Sequence, residues 1–393
     1  MLRPEEAVRV ILGVTPRLDV ETATVAPALA GRVLAADAVA GVSLPPFATS
    51  AMDGFAVRAH DLGDGPIAVA FRIAAGDRPS PLPDGSAAAI ATGAPLPDGA
   101  DSIIPIEDGE EQDGHLRAEA PERGAWVRAA GSDVAAGDVI LSAGSVLAPA
   151  GLAALAAAGV AQVTVSRRPR LAAIATGSEL QHAGRPLEPG QIYESNLTAM
   201  AVQTARAGAE LVATEVVPDD RAAIREAFAA GLRDADVVVS SGGVSVGPHD
   251  HVKPVLEDLG VRERFWRVAH RPGKPLWFGT AGNGTLVFGL PGNPVSSLVC
   301  FELFVRPALL AMQGAPPPAR ARARLAEPIA RLATRDHAVR CSLIADEDGM
   351  RLVAQPAQDS HLIAHAAAAG AIAMIPAGEG VVEAGTVVEY VLL

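Results

Sequence analysis

The sequence predicts a multidomain α/β protein. Its centre is a doubly wound, mostly parallel sheet, with an elongated, mainly β N-terminal and linker region before it and a small C-terminal β domain after it. Three observations lead there. At 393 residues the chain exceeds what one hydrophobic core serves, because longer chains divide into domains. Between Arg168 and Gln313, β-type runs alternate with helical segments of roughly ten to fifteen residues, the pattern of βαβ units around a parallel sheet. Outside that stretch the apolar runs are short and separated by Gly, Pro and Asp, the texture of small β units joined by turns.

The first thirteen residues carry Arg3, Glu5, Glu6 and Arg9 among apolar positions, which reads as a short amphipathic helix and not as a signal peptide. From 18 to 148 the short runs include 68–73 and 102–107. The uncharged run 139–166 is broken by Gly144, Pro149, Gly151 and Gly159, so it reads as a turn, a buried Ala-rich helix and a strand, not a membrane span. In the middle stretch, strands are expected at 171–176, 211–217, 236–240 and 285–290. Helices are expected at 197–207, 221–232, 252–259 and from Pro294, with parallel, right-handed crossovers between strands. A stiff Gly314-Ala-Pro-Pro-Pro318 linker precedes short strands such as 340–345 and 386–392. The expected boundaries are 1–167, 168–315 and 316–393.

Composition excludes several functions. With 32 Lys+Arg against 45 Asp+Glu, the net charge of −13 argues against a nucleic-acid partner. Hydrophobic residues reach 49% but aromatics only 4%, so the core is built from small aliphatic side chains. Cys300 and Cys341 stand alone, as reduced core thiols of a cytoplasmic protein. His249, His251 and His270 have no trustworthy ligand spacing, and no Ser-His-Asp arrangement is present.

Ligands of open parallel sheets bind beyond the carboxyl ends of the strands. Four loops there carry unusual residues: 176–179 with Glu179, 218–220 with Asp219 and Asp220, 240–247, and 290–296. In the 240–247 loop, Ser240, Ser241, Gly242, Gly243 and Ser245 let backbone N–H groups and hydroxyls approach an anion such as phosphate, although a tight turn explains it equally well. In the 290–296 loop, with Pro291, Gly292, Asn293 and Ser296, Asn293 is placed to cap a helix that Pro294 begins, and the same terminus suits an anion. Two such loops at one sheet edge favour a phosphorylated ligand. Glu179, Asp219, Asp220 and Asp250 stand beside them, and Glu179, Asp219 and Asp250 are the candidate Mg²⁺ set, since Mg²⁺ is held by one or two carboxylates plus phosphate oxygens. Any single one of these acids is explained as well by a cap or a solvated turn. Arg267, Arg271 and Lys274 form a second anion site for phosphate or a tetrahedral oxometallate, the two arginines sharing a face if the segment is a strand.

These motifs in series resemble the molybdopterin molybdenumtransferase family, the MoeA type related to the E domain of gephyrin. The resemblance runs through Gly31–Asp37, Pro46–Arg58, Ala91–Pro95, Gly131–Asp133, the 240–247 loop, Arg271–Pro275 and Leu290–Ser296. It implies a sheet of the molybdopterin-binding type. The implied reaction is the Mg²⁺-dependent insertion of molybdate, the second substrate, into adenylylated molybdopterin with release of AMP. It further implies Asp53, Thr92, Asp133, Glu179, Asp219 and Asp250 as the catalytic polar set, and a homodimer in which the partner's first segment completes the site. The molybdopterin adenylyltransferase of the same pathway is an implied partner. Arg at 267 and 271 stands where the family more typically has Lys. Ser178 replaces an acidic residue, and Asp359-Ser-His361 replaces Gly-Ser-His. A non-catalytic molybdopterin-binding scaffold is the alternative from another class. An adenylyltransferase is a further one, although its signature loop has Gly-Gly-Thr-Gly where this chain has Gly242-Gly-Val-Ser245.

Overall fold

The computed structural model describes residues 1–63, 65–243, 251–318, 320–347 and 349–393. The middle of the chain forms a six-stranded sheet in the order Glu210–Val217, Arg170–Thr176, Val237–Ser241, Leu286–Leu290, Trp277–Thr280, Arg262–Trp266. The first four strands are parallel, and Trp277–Thr280 runs antiparallel to both of its neighbours.

The double winding follows from side-chain alternation along buried strands. Leu171, Ala173, Ala175, Val237, Val239, Leu286 and Phe288 face one way, against helices Asn196–Arg206 and Pro294–Cys300. Ala172, Ile174, Val238 and Val287 face the other way, against Arg221–Asp234 and Val252–Asp258. The small strand residues let the helices lie close. The helical run from Pro294 to Gln313 passes through a π-helical segment, Phe301–Val305, and is 20 residues long and apolar enough to cross a membrane. Its most apolar stretch is 78% buried, so it is a core helix of the α/β unit.

The first helix, Pro4–Val14, buries Ala7 and Ile11 in that same core, and Ala269 donates its N–H to the Leu2 carbonyl at 2.7 Å. The chain then leaves along Val20–Thr24 and returns along its antiparallel partner Gln162–Ser166. Between these two strands lies a mixed sheet in the order Ser102–Pro105, Gly54–Val57, Ser86–Ile90, Ile67–Ile73, His115–Ala118, Gly109–Gln112. The Ala-rich segment is helical at Pro149–Ala157 but is not a buried helix. Only Leu155 of the helix is buried, in a small cluster with Leu34, Leu147, Val163 and Val165, and the other helix residues stay partly or fully exposed.

Beyond the proline linker, strands Ala321–Leu325, Asp336–Asp346, Gly349–Ala354, Ala371–Ile375 and Val387–Leu392 pair around a closed circuit. One strand of the middle segment, His270–Arg271, adds in parallel to Asp336–Asp346. That pairing joins the α/β unit to the barrel and carries part of the basic segment with it. Both cysteines are free and buried.

Candidate functional site

Two adjoining cavities open at the carboxyl edge of the central sheet. The larger, about 730 Å³, is lined by Thr176, Glu179, Asp219, Ser241, Gly242, Gly243, Pro291, Gly292 and Asn293 together with 192–196. The smaller, about 320 Å³, is lined by Arg271, Lys274, Ser296, Arg335, Asp359 and Ser360. Pro275, Pro291, Asn293 and His361 line both, so the two share a wall.

Sterics force the glycines of the larger cavity. Gly242 and Gly243 have φ of +95° and +65°. A Cβ on Gly242 would lie 2.6 Å from the Thr176 carbonyl oxygen, and one on Gly243 2.3 Å from Val252 Cγ2. Both the left-handed backbone and the close approach therefore exclude a side chain. The Gly242 N–H donates to the Leu290 carbonyl at 3.1 Å, which ties the Ser/Gly loop to the Pro-Gly-Asn loop. Asn196 reinforces that tie: its amide donates to Ser241 Oγ at 2.6 Å and to the Gly292 carbonyl at 2.8 Å. Beneath them the hydroxyls of Thr176 and Ser240 are buried with no hydrogen-bond partner among the described residues. Buried hydroxyls are ordinarily satisfied.

The two aspartates at 219 and 220 separate cleanly. Asp220 Oδ1 accepts from the Ala222 and Ala223 N–H groups at 3.0 and 2.9 Å and caps helix Arg221–Asp234. Asp219 instead faces the cavity, exchanging bonds with the Ser178 N–H (3.2 Å) and hydroxyl (3.0 Å). Glu179 lines the same cavity, its carboxylate lying over the Cα of Gly177. Among the described residues no group of three or more His, Cys, Asp or Glu gathers as a metal site. Asp250 and Ser245, expected here from the sequence, lie outside the described residues, as does the rest of 244–250.

The basic segment differs from its expected form. Arg267 and Arg271 do not share a strand face, because the strand stops at Trp266 and Arg267 turns into a left-handed conformation with φ +72°. Its guanidinium stacks over the Trp266 ring at 4.0 Å, with Lys253 Nζ 3.1 Å from the same ring centroid. Such stacking suits a planar cation on an indole face. Arg271 lies on the barrel-joining strand and pairs loosely with Asp359 at 3.6 Å. Asn293 also departs from expectation. Its side chain makes no capping bond but donates to Ser360 Oγ at 2.9 Å, drawn off by the barrel loop. Pro294 occupies the first helical turn as expected.

His270 lines the smaller cavity yet is fully buried, and neither ring nitrogen has a partner among the described residues. Burial first, then His337 and Arg335, drives its pKa down to about 3. Burial and the guanidinium groups of Arg271, Arg340 and Arg335 bring His337 to about 4. Both rings are therefore neutral at ordinary pH.

Three residues expected to act together lie in the first segment. Asp53 Oδ1 accepts from the Thr92 N–H at 2.6 Å and its hydroxyl at 2.9 Å, and these bonds hold the carboxyl below its ordinary pKa. Asp53 lines a separate cavity of about 490 Å³ with Arg72 and Ile106, and neither Asp53 nor Thr92 lines the two described above. Asp133 is exposed and lines none of these three. Ser240 is sealed within its strand.

Sequence reasoning missed Asn196, Arg335 and the participation of Ser360. The start of a helix after Glu194-Ser195 reads as simple capping, and Glu194 does accept the Leu197 N–H at 2.7 Å. Arg335 and Ser360 reach the site only because the barrel docks there.

Three family models match the chain in order: the MoeA N-terminal region, domains I and II, over 2–159; a probable molybdopterin-binding domain over 172–311; and the MoeA C-terminal region, domain IV, over 322–393. The chain is 43% identical over 307 residues to molybdopterin molybdenumtransferase 2 of Mycobacterium tuberculosis, covering 74% of this chain and 75% of that protein. It is 35% identical over 395 residues to molybdopterin molybdenumtransferase 1 of the same species, covering 92% of each. The solved structure of a molybdopterin biosynthesis moeA protein from Pyrococcus horikoshii OT3 superposes with a TM-score of 0.84 at 26% identity, covering 100% of both chains.

Proposed function

This chain belongs to the molybdopterin molybdenumtransferase family, and we propose that it inserts molybdenum into adenylylated molybdopterin with release of AMP, in a Mg²⁺-dependent reaction of molybdenum cofactor biosynthesis. One observation carries this reading. A large cavity walled by the Ser/Gly loop, hydroxyls and three acidic residues, Glu179, Glu194 and Asp219, shares a wall with a smaller cavity lined by Arg271, Lys274 and Arg335. The first suits a phosphorylated heterocycle, and the second a tetrahedral oxyanion such as molybdate. Held in adjoining spaces, the two substrates meet without a diffusive step, which is where much of such a rate enhancement originates.

The residues divide the work. The Gly243 N–H and the Ser241 hydroxyl offer donors to phosphate, while Asn196 and the Gly242 N–H keep their loop in register with 290–293. Arg271, Lys274 and Arg335 neutralise the oxyanion, with the Ser360 hydroxyl beside them. Glu179 and Asp219 fit a divalent cation, being two hard oxygen donors in one cavity with room for phosphate and water as the remaining ligands. When bound, that cation would neutralise phosphate charge on the leaving AMP. Asp53 and Thr92 form a hydrogen-bonded unit away from both cavities, which supports a homodimer in which the first segment of a second copy completes the site. The division at 1–167, 168–315 and 316–393, a cytoplasmic setting and hand-over from the pathway's adenylyltransferase belong to the same proposal.

The test is AMP release from adenylylated molybdopterin by the purified full chain. Release is expected only with molybdate and Mg²⁺ both present. Release that ignores molybdate would overturn the reading.

A further inference from the structure

The smaller cavity contains its own anion. Among the residues lining it, Asp359 is the single carboxylate, set against Arg271, Lys274 and Arg335. Its Oδ1 lies 3.6 Å from Arg271 Nη2, close enough for an ion pair but too long for a hydrogen bond. The Asp359 side chain is 63% exposed and that of Arg271 40%. Among the described residues the Asp359 carboxylate accepts no hydrogen bond.

Its backbone is held far more tightly than its side chain. The guanidinium of Arg340, a fully buried residue, donates to the Ala357 carbonyl at 2.6 Å and to the Asp359 carbonyl at 3.4 Å. Gln358 exchanges bonds with the Arg340 backbone at 3.0 Å in both directions. Ser360 is fixed by Asn293 and by the Val295 N–H. A rigid loop therefore presents a carboxylate that can swing into solvent without moving the loop.

We propose that Asp359 is a counter-ion latch: its carboxylate occupies Arg271 until an oxyanion displaces it, and so sets the affinity and charge preference of the cavity. This rests on the oxyanion reading given above. Three consequences follow from electrostatics. An incoming anion competes with an internal one for the same guanidinium. Any carboxylate that stays near the mouth repels a dianion about twice as strongly as a monoanion. Both effects shrink with added salt, because the pair is solvent-exposed.

The experiment measures equilibrium binding of molybdate, a dianion, and perrhenate, a tetrahedral monoanion, to the purified full chain at low and high ionic strength. Asp359→Asn is expected to tighten molybdate by about three- to fivefold, the scale of an exposed ion pair. Perrhenate, with half the charge, should gain by about the square root of that factor, roughly twofold, and both gains should shrink in high salt. In an Arg271→Ala background the Asp359→Asn gain should fall to the part due to direct repulsion alone. Molybdate binding that is unchanged in Asp359→Asn, yet weakened by Arg271→Ala, would overturn the latch and leave the oxyanion reading standing. Indifference of the parent to both Arg271→Ala and Lys274→Ala, or no molybdate binding by parent and Asp359→Asn alike, would instead remove the oxyanion reading and the latch with it. Gains equal for dianion and monoanion and indifferent to salt would reduce Asp359 to a steric obstacle and also overturn the proposal. Asp359→Gly, which removes the carboxylate without leaving an amide, guards against a substitution effect peculiar to Asn.

Discussion

The two edges of the central sheet carry comparable densities of charge and use them in opposite ways. At the amino edge a cavity of about 460 Å³ is lined by Arg17, Arg167, Arg170, Arg233, Asp19 and Asp236. Four of these six side chains are held within the fold: Arg167 grips Asp236 through two bonds of 2.8 and 2.9 Å, and the Arg170 N–H adds a third to Asp236 at 2.8 Å. Arg233 pairs with Asp234, and Arg17 donates to the Ala311 carbonyl. At the carboxyl edge, Thr176 and Ser240 hide unpartnered hydroxyls, and neither Lys274 nor Arg335 forms an ion pair among the described residues. Polar groups that close on themselves hold a fold together. Groups left open by a fold that could have closed them are suited to a ligand.

Substitutions at the two edges should therefore diverge. The largest effect is expected from Gly243→Ala, whose Cβ would overlap Val252 and strain the φ of +65°. A shift of the loop by about an ångström should lower kcat/KM for molybdenum insertion about 100-fold, read by AMP release. A normal rate would show that the loop does not position substrate.

Acid should separate the edges next. His270 lines the smaller carboxyl-edge cavity with its folded pKa lowered to about 3, against about 6.5 in an unfolded chain. Because the folded value is the depressed one, the stability is complete above about 6.5 and is lost as pH falls from there toward 3. Between pH 7 and pH 5 His270 alone should cost about 2 kcal/mol, and His270→Met should remove that part of the slope in urea titrations. At the amino edge, burial raises the Asp236 pKa but the Arg167 bonds and the Arg170 N–H outweigh it, leaving the carboxyl below its ordinary range. Its contribution is present above about 3.9, the unfolded value, and is lost only as pH falls below that. Mild acid should thus reach the carboxyl-edge region first. A pH 7 to 5 slope unchanged by His270→Met would contradict this.

Neighbouring aspartates sharpen the contrast within one loop. Asp219→Asn should lower turnover about tenfold while leaving the melting temperature in place. Asp220→Ala should cost about 1 kcal/mol of stability, the loss of a helix cap, with turnover per folded molecule unchanged. The smallest effect belongs to the amino edge. Arg167→Ala should destabilise by about 1 kcal/mol, since the pair is only partly buried, and should leave the reaction rate of the folded protein as it was. A catalytic defect there would erase the distinction between the edges.

Much of the α/β unit was legible in the sequence. Strands and helices at 171–176, 221–232, 236–240 and 285–290 fall where periodicity placed them, because buried parallel strands and amphipathic helices write their partners into local hydrophobic order. The antiparallel strand Trp277–Thr280 was not foreseen. It is a short apolar run with no period of its own, and its direction depends on which neighbours it finds. The Ala-rich helix was rightly expected and wrongly buried, since burial depends on what packs over it.

The site divides in the same way. Local sequence determined the backbone cradle: Gly242 and Gly243, the turn into Pro294, and the acids at 179 and 219 all lie within loops whose chemistry is written over a few residues. Tertiary structure decided which of those groups meet. Asn293 gave up its cap for Ser360 and Asp359 came to face Arg271, because each choice was made by a barrel loop distant in the chain, whereas Arg267 turned onto its own chain neighbour Trp266. Short-range order fixes what a residue can offer, whereas the docking of separate units fixes what it touches.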